Sequence, residues 1–270
     1  MVAAGNEWLH PTALIGPGVV LAPDVRVGPY AILEGAIRLG AGCVVGPHVH
    51  LLGAVVAGVN NRFHTGCVIG DLPQHLGYKG EETRVEIGDG NIFREHVTVH
   101  RAMPATGATI IGDRNLFMVN SHAGHDARVG NGCVLANGAL LGGHAEIADG
   151  CFISGNGAVH QFCRVGRLAM IGGLSAVSQD CPPFWMIRYI NVPHGVNIVG
   201  LKRSGMSTDD IAAVRRAYKT INRQGRLVSN ALEVIEAADG ERGPIREIID
   251  FFRSSKRGVV VGSLREGPDE

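Results

Sequence analysis

Val129-Gly130-Asn131-Gly132-Cys133-Val134-Leu135-Ala136-Asn137-Gly138-Ala139-Leu140-Leu141 repeats itself every six residues. Val129, Leu135 and Leu141 are apolar anchors, and four residues after the first two stand the small residues Cys133 and Ala139. The register extends in both directions. Upstream it passes through Ala123, Phe117 and Ile111, then Val99, Phe93 and Ile87, and finally from Ile69 back to Ile15; downstream it reaches Val177. Six is the period of neither an amphipathic helix nor a long strand; a short fixed period of this kind marks a solenoid. Each unit supplies one short strand and one turn, and three units close a triangular coil. Anchor and small residue face inward, while glycine serves corners that need a left-handed backbone.

The other numbers agree with a packed solenoid. The 39 glycines and 12 prolines among 270 residues would suggest disorder if apolar residues were scarce, but these make up 45% of the chain. Lys plus Arg and Asp plus Glu are 25 each, which argues against nucleic acid as a partner. Met1–Trp8 has no basic-then-apolar leader and no stretch has the length of a membrane span, so a cytoplasmic protein without an integral membrane segment is expected. Cys43, Cys67, Cys133, Cys151 and Cys163 share the inward small position and read as core residues, with Cys181 outside the repeat.

Two stretches break the rhythm, 70–82 and 101–107, and both are expected to leave the coil as loops. The coils are expected to end near Pro182-Pro183. Beyond them Ser207-Thr208-Asp209-Asp210 reads as a helix start, followed by helices around 208–221, 229–238 and 244–254 and a loose tail after Gly262. The fold class is therefore an all-β parallel β-helix, residues 1–190, with a small C-terminal α-helical domain, residues 191–270.

Eighteen residues make one coil, so His125, Gly143 and Gln161 stack, as do Asp126 and His144, and Gly124, Gly142 and His160. This gathers His125, His144, His160 and Gln161 on one edge, with His122 just before them. One corner histidine is unremarkable, but several around an accessible glycine N–H point to a site. No metal is expected. The hexapeptide-repeat carbonic anhydrases space their ligand pair by five, whereas the close pairs here are His96/His100 and His122/His125. No cofactor is expected either.

The repeat resembles the left-handed β-helix of the hexapeptide acyltransferases, from which the handedness is taken. Within that group the chain resembles the UDP-N-acetylglucosamine O-acyltransferases of lipid A synthesis. The segments that carry the resemblance are Gly80–Gly88, Val99-His100-Arg101, His122–Asp126, Val159–Cys163, Gln179–Pro183, Gly195-Val196-Asn197, Gly200–Arg203 and Phe251–Ser255. It implies that His125 is the general base, with Asp126 holding its tautomer, and that the Gly143 N–H stabilises the oxyanion. His75, His122, His144, His160 and Gln161 would bind sugar and diphosphate, and Asn197 and Arg203 the nucleotide. Met170 and Gly173 would line the acyl groove. Acyl carrier protein would be the donor's carrier, a UDP-sugar the acceptor, and the assembly a homotrimer. Arg215, Lys219 and Arg223 share one helix face, with Arg216 and Arg226 nearby, and could meet the acidic carrier.

The chain departs from the family at the acceptor. Where the family has an aspartate and, two residues on, a lysine, this chain has His75 and Gly77. The family's glutamate is Val199, its second arginine is Ser204, and the preceding loop reads Arg188–Asn191 with one residue fewer. These changes lead us to expect weaker binding of UDP-N-acetylglucosamine, or a different nucleotide sugar such as a 3-amino one. Two classes stay open at this point: an acyltransferase, or a silent β-helix that binds a partner. The His125/Gly143/His144/Gln161 edge favours the first.

Overall fold

The computed structural model describes residues 8–223 and 227–262. It is a left-handed parallel β-solenoid of about 10 turns with four helices at its C-terminal end. Three stacks of strands form its faces, most of them two to four residues long, with Ile32–Leu39 and His50–Ala57 eight residues each. The first runs through Val68–Asp71, Thr98–His100, His122–Ala123, Leu140–Leu141, Ala158–Val159 and Ala176–Val177. The second runs through Arg84–Ile87, Ala108–Ile111, Arg128–Val129, Glu146–Ile147 and Arg164–Val165. The third runs through Arg62–Phe63, Ile92–Phe93, Leu116–Phe117, Val134–Leu135, Phe152–Ile153 and Met170–Ile171.

Every anchor from Val27 to Val177 is buried, the first two, Ile15 and Leu21, are half-buried, and the residue before each anchor faces outward, as the six-residue pattern requires. All six cysteines are buried, Cys181 included; it bridges to Val165 as one more inward position. The inward column also holds polar residues that the pattern of small residues did not suggest. Asn61, Asn91 and Asn115 stack in it, and each Oδ1 accepts the backbone N–H of the next coil at 2.7–2.9 Å. Beside this ladder Phe63, Phe93 and Phe117 stack at about 5 Å.

The corner between the first and second faces carries both breaks in the rhythm. From Ala123 to Val129 the chain turns it in six residues. It uses eighteen from Ile69 to Ile87, and twelve from Val99 to Ile111. The two insertions therefore emerge from consecutive coils, directly below the coil of His125.

The prolines do not end the coils. Trp185–Arg188 still pairs in parallel with Met170–Ile171, because Pro182 and Pro183 lie before the strand and remove no ladder donor from it. Val192–Val196 then folds back antiparallel. Helix α1 (Ile198–Arg203) was not anticipated. Its N-cap is Asn197, whose Oδ1 accepts the N–H of Gly200. Helix α2 (Thr208–Arg223) starts as expected, with Ser207 Oγ accepting the N–H of Asp210 at 3.1 Å. Helices α3 (Val228–Asp239) and α4 (Gly243–Ser254) complete the domain. Trp185 is buried against Tyr218 and Phe252, in one apolar cluster with Val214, Ile248 and Ile249. Arg226 and the tail beyond Gly262 lie outside the described residues. Among the described residues no helix is long and apolar enough to cross a membrane.

Candidate active site

At the first corner the predicted stacking is present. The N–H of His144 donates to the carbonyl of His125 at 2.9 Å, and that of Phe162 to the carbonyl of Gly143 at 3.0 Å. Asp126, His144 and Phe162 occupy the left-handed corner position one above another, at φ 63°, 58° and 63°. Glycine is the usual residue there, so side chains in its place are held by their surroundings.

His125 is buried, and its Nδ1 lies 2.5 Å from Asp126 Oδ2. The Asp126 side chain is fully shielded from solvent, so the pair forms a charge-assisted hydrogen bond in a dry site. An N–H on Nδ1 leaves the lone pair on Nε2. A Cβ at Gly143 would lie 2.6 Å from that Nε2. Only glycine, therefore, lets the free imidazole nitrogen sit over the backbone at 143. The N–H of Gly143 makes no hydrogen bond among the described residues.

Other imidazoles close in at right angles. His144 stands 5.3 Å from His125, ring centre to ring centre, and its Nε2 is 3.4 Å from Asp126 Oδ2. Its pKa is lowered, first by burial, although Asp126 acts in the opposite direction. Phe162 stacks on its other side at 4.5 Å. His75, delivered by the longer insertion, meets His125 edge-on at 5.5 Å. Its Nδ1 accepts the N–H of Gly77 at 3.0 Å, which leaves Nε2 as the ring's donor. His122 bonds Thr98 Oγ1 through Nδ1 at 2.8 Å and sits beside His100. Burial first, then His100 and His125, push the His122 pKa down to about 4. At neutral pH His122 and His144 are thus neutral imidazoles that can donate or accept. His160 and Gln161 stand exposed one coil higher.

His125, Asp126 and His144 are the one group among the described residues whose donor atoms could converge on a metal ion. The 2.5 Å between His125 Nδ1 and Asp126 Oδ2 suits a shared proton. Two ligands of a tetrahedral zinc stand farther apart, at roughly 3.3 Å.

The remaining expected residues are elsewhere. Met170, Asn197 and Arg203 line a cavity of about 750 Å³ on the third face, together with Phe152, Met186 and Val199. The Asn197 amide is already engaged, since its Nδ2 donates to the carbonyl of Leu168 at 2.9 Å. Gly173 lies at the corner between the third and first faces. In one chain neither group meets the His125 corner. Arg215 and Lys219 are exposed along a cleft with Ile198 and Tyr218, whereas Arg216 is paired with Asp239. The sequence reading missed Thr98, Phe162, two groups of the shorter insertion, Met103 N–H and Thr106, and Thr109 on the strand Ala108–Ile111 that follows it. Thr98 sits under His122 at an offset of twenty-four residues, hidden by the insertion.

Comparisons with known proteins agree with one another. The family model described as UDP N-acetylglucosamine O-acyltransferase, domain 2, matches residues 180–260. The acyl-[acyl-carrier-protein]–UDP-N-acetylglucosamine O-acyltransferase of Halorhodospira halophila is 41% identical over 254 residues, 93% of this chain and 98% of that protein. The UDP-N-acetylglucosamine acyltransferase structure from Francisella novicida superposes with a TM-score of 0.90 at 32% identity, covering 97% of this chain and 99% of the other. That from Bacteroides fragilis gives 0.89 at 37%, covering 93% and 99%.

Proposed function

The chain belongs to the UDP-N-acetylglucosamine O-acyltransferase family, and from that premise we propose that it moves a 3-hydroxyacyl chain from acyl carrier protein to the 3-hydroxyl of UDP-N-acetylglucosamine, the first step of lipid A synthesis. The observation that carries this reading is the closeness of His125 Nε2 to Gly143, where an added Cβ would lie 2.6 Å from it. A proton acceptor next to a free backbone N–H suits acyl transfer, and the hydrogen bond from His125 Nδ1 to Asp126 suits the tautomer that leaves Nε2 basic.

The step is direct acyl transfer. His125 takes the proton of the sugar hydroxyl as the oxygen attacks the thioester carbon. The Gly143 N–H holds the oxyanion that forms. Collapse expels the carrier's thiolate, to which the imidazolium returns its proton; one ester forms as one thioester breaks. No cysteine is available for a covalent intermediate, since all six are buried. His75, His122, His144, His160 and Gln161 are the proposed contacts to sugar and diphosphate, and Arg203 the contact to nucleotide phosphate. Arg215 and Lys219 are the proposed meeting point with the acidic carrier.

One chain does not complete this site, because His125 and the Arg203 cavity face different corners. A homotrimer that sets one chain's third face against the next chain's corner would join them. The cytoplasm, where carrier and nucleotide sugar are made, is the compartment this reading assigns.

The test offers the purified protein 3-hydroxyacyl carrier protein with UDP-N-acetylglucosamine or its 3-amino analogue and reads product masses. The expected result is an ester of UDP-N-acetylglucosamine, formed at least ~10²-fold more slowly by His125→Ala. Exclusive use of the amino sugar would overturn the acceptor; an active, folded His125→Ala protein would overturn the base.

A further inference from the structure

The shorter insertion, 101–107, contacts Asp126. The backbone N–H of Met103 straddles the carboxylate, 3.1 Å from both Oδ1 and Oδ2. The hydroxyl of Thr106 donates to Oδ1. The N–H of Asp126 itself donates to Thr109 Oγ1 at 2.8 Å, on the strand that follows the insertion. The loop is closed on itself by the N–H groups of Thr106 and Gly107, both donating to the carbonyl of Met103.

These contacts leave little freedom. Oδ1 receives two donors from the loop, and Oδ2 receives the shared Met103 N–H and His125 Nδ1, with His144 Nε2 at 3.4 Å. A carboxylate with no solvent exposure depends on such donors to remain charged, and its orientation follows theirs. If Oδ1 lost its hydroxyl partner, the carboxylate could turn about its Cβ–Cγ bond toward Met103, and the bond from His125 would lengthen.

We infer that the insertion 101–107 is a carboxylate clamp and that Thr106 is a positioning residue for acyl transfer, acting through Asp126 on the tautomer and aim of His125. The insertion adds six residues to a corner that the coils above it turn in six, and two of its residues, Met103 and Thr106, donate to this one side chain. The inference rests on the proposed role of His125 as the base.

Thr106→Val keeps the shape and removes the donor; Thr106→Ser keeps the donor and removes the methyl. Steady-state kinetics should show kcat reduced about tenfold in Thr106→Val, the worth of one hydrogen bond to a buried charge. KM for both substrates should stay within about twofold, and Thr106→Ser should be near the parent. The low-field NMR signal of the His125 Nδ1 proton, identified by its absence in His125→Ala, should move in Thr106→Val and not in Thr106→Ser. Because Thr106 is itself exposed, both variants should stay folded at the assay temperature, with Thr106→Val melting lower by no more than the loss of one hydrogen bond to a charge. Parent-like kcat and an unmoved proton in Thr106→Val would overturn the clamp, as would equal impairment of the valine and serine variants. If His125→Ala retains activity, the base reading fails instead, whatever Thr106 does.

Discussion

Gly143 and His125 set the tightest constraint on a single residue. A Cβ at 143 would stand 2.6 Å from the His125 Nε2 and 2.7 Å from its Cε1, both at the end of a ring that can turn aside. Gly143→Ala should therefore fold, with a melting temperature close to the parent, yet lose transfer by ~10²-fold or more because the ring leaves its working position; near-normal turnover would show that the contact is not needed. His122 offers a second check, through pH. An unfolded chain protonates this imidazole near ~6.5, whereas in the fold it takes up the proton only at about 4. Between those values the unfolded state binds more protons, so this group's share of stability is present above ~6.5 and drains away as pH falls to about 4. The urea midpoint should consequently fall more steeply over that window in the parent than in His122→Gln. At this scale the sequence was legible wherever eighteen-residue stacking applied, which placed His125, Gly143 and His144 together. It was silent about Thr106 and Thr98, since an insertion of unknown path separates them from the residues they touch.

Among the elements, the strand–helix junction depends on Asp180. Its buried carboxylate accepts from the Arg164 backbone N–H at 2.9 Å, from Arg164 Nε at 3.0 Å and from Ser255 Oγ at 2.8 Å, so one side chain ties a solenoid edge to the end of α4. Asp180→Ala should cost about 3 kcal/mol in denaturant unfolding, because it leaves an arginine and two further donors without their partner. A change below ~0.5 kcal/mol would mean that the helices are held by the remaining links, the Arg167–Glu247 pair and the packing around Trp185. The start of α2 and the presence of α3 and α4 could be read from capping and spacing. Helix α1 could not, as six residues are too few to show a period, and its Asn197 cap reads equally well as a ligand contact. The asparagine ladder was hidden for a similar reason. Asparagine suggests a turn until it is known that the next coil supplies a backbone N–H to its side chain.

The arrangement of the whole molecule makes assembly the central prediction. Leu174, Tyr189, Ile190 and Val192 are exposed apolar residues near the corner that carries Gly173, a surface that a lone chain would leave wet. Light scattering at micromolar concentration should give three times the 28.5 kDa of one chain; a monomer there would require the His125 corner to work without the Arg203 cavity. The global architecture was the most legible property of all, because a period sustained over some 160 residues admits few other folds.

The two insertions at the first corner lengthen it by twelve and by six residues, and every coil above them stays in phase. Change at this corner is thus confined to the corner. Residues can be gained or lost there while His125, Gly143 and Gln161 keep their alignment. The count need not be a multiple of six: the last coil turns the same corner from Val177 to Cys181 in four residues, yet Cys181 and Ile187 still pair with Val165 and Ile171. The solenoid therefore isolates its own variation: new substrate contacts can be tried out at one corner beneath a base held by the coils around it.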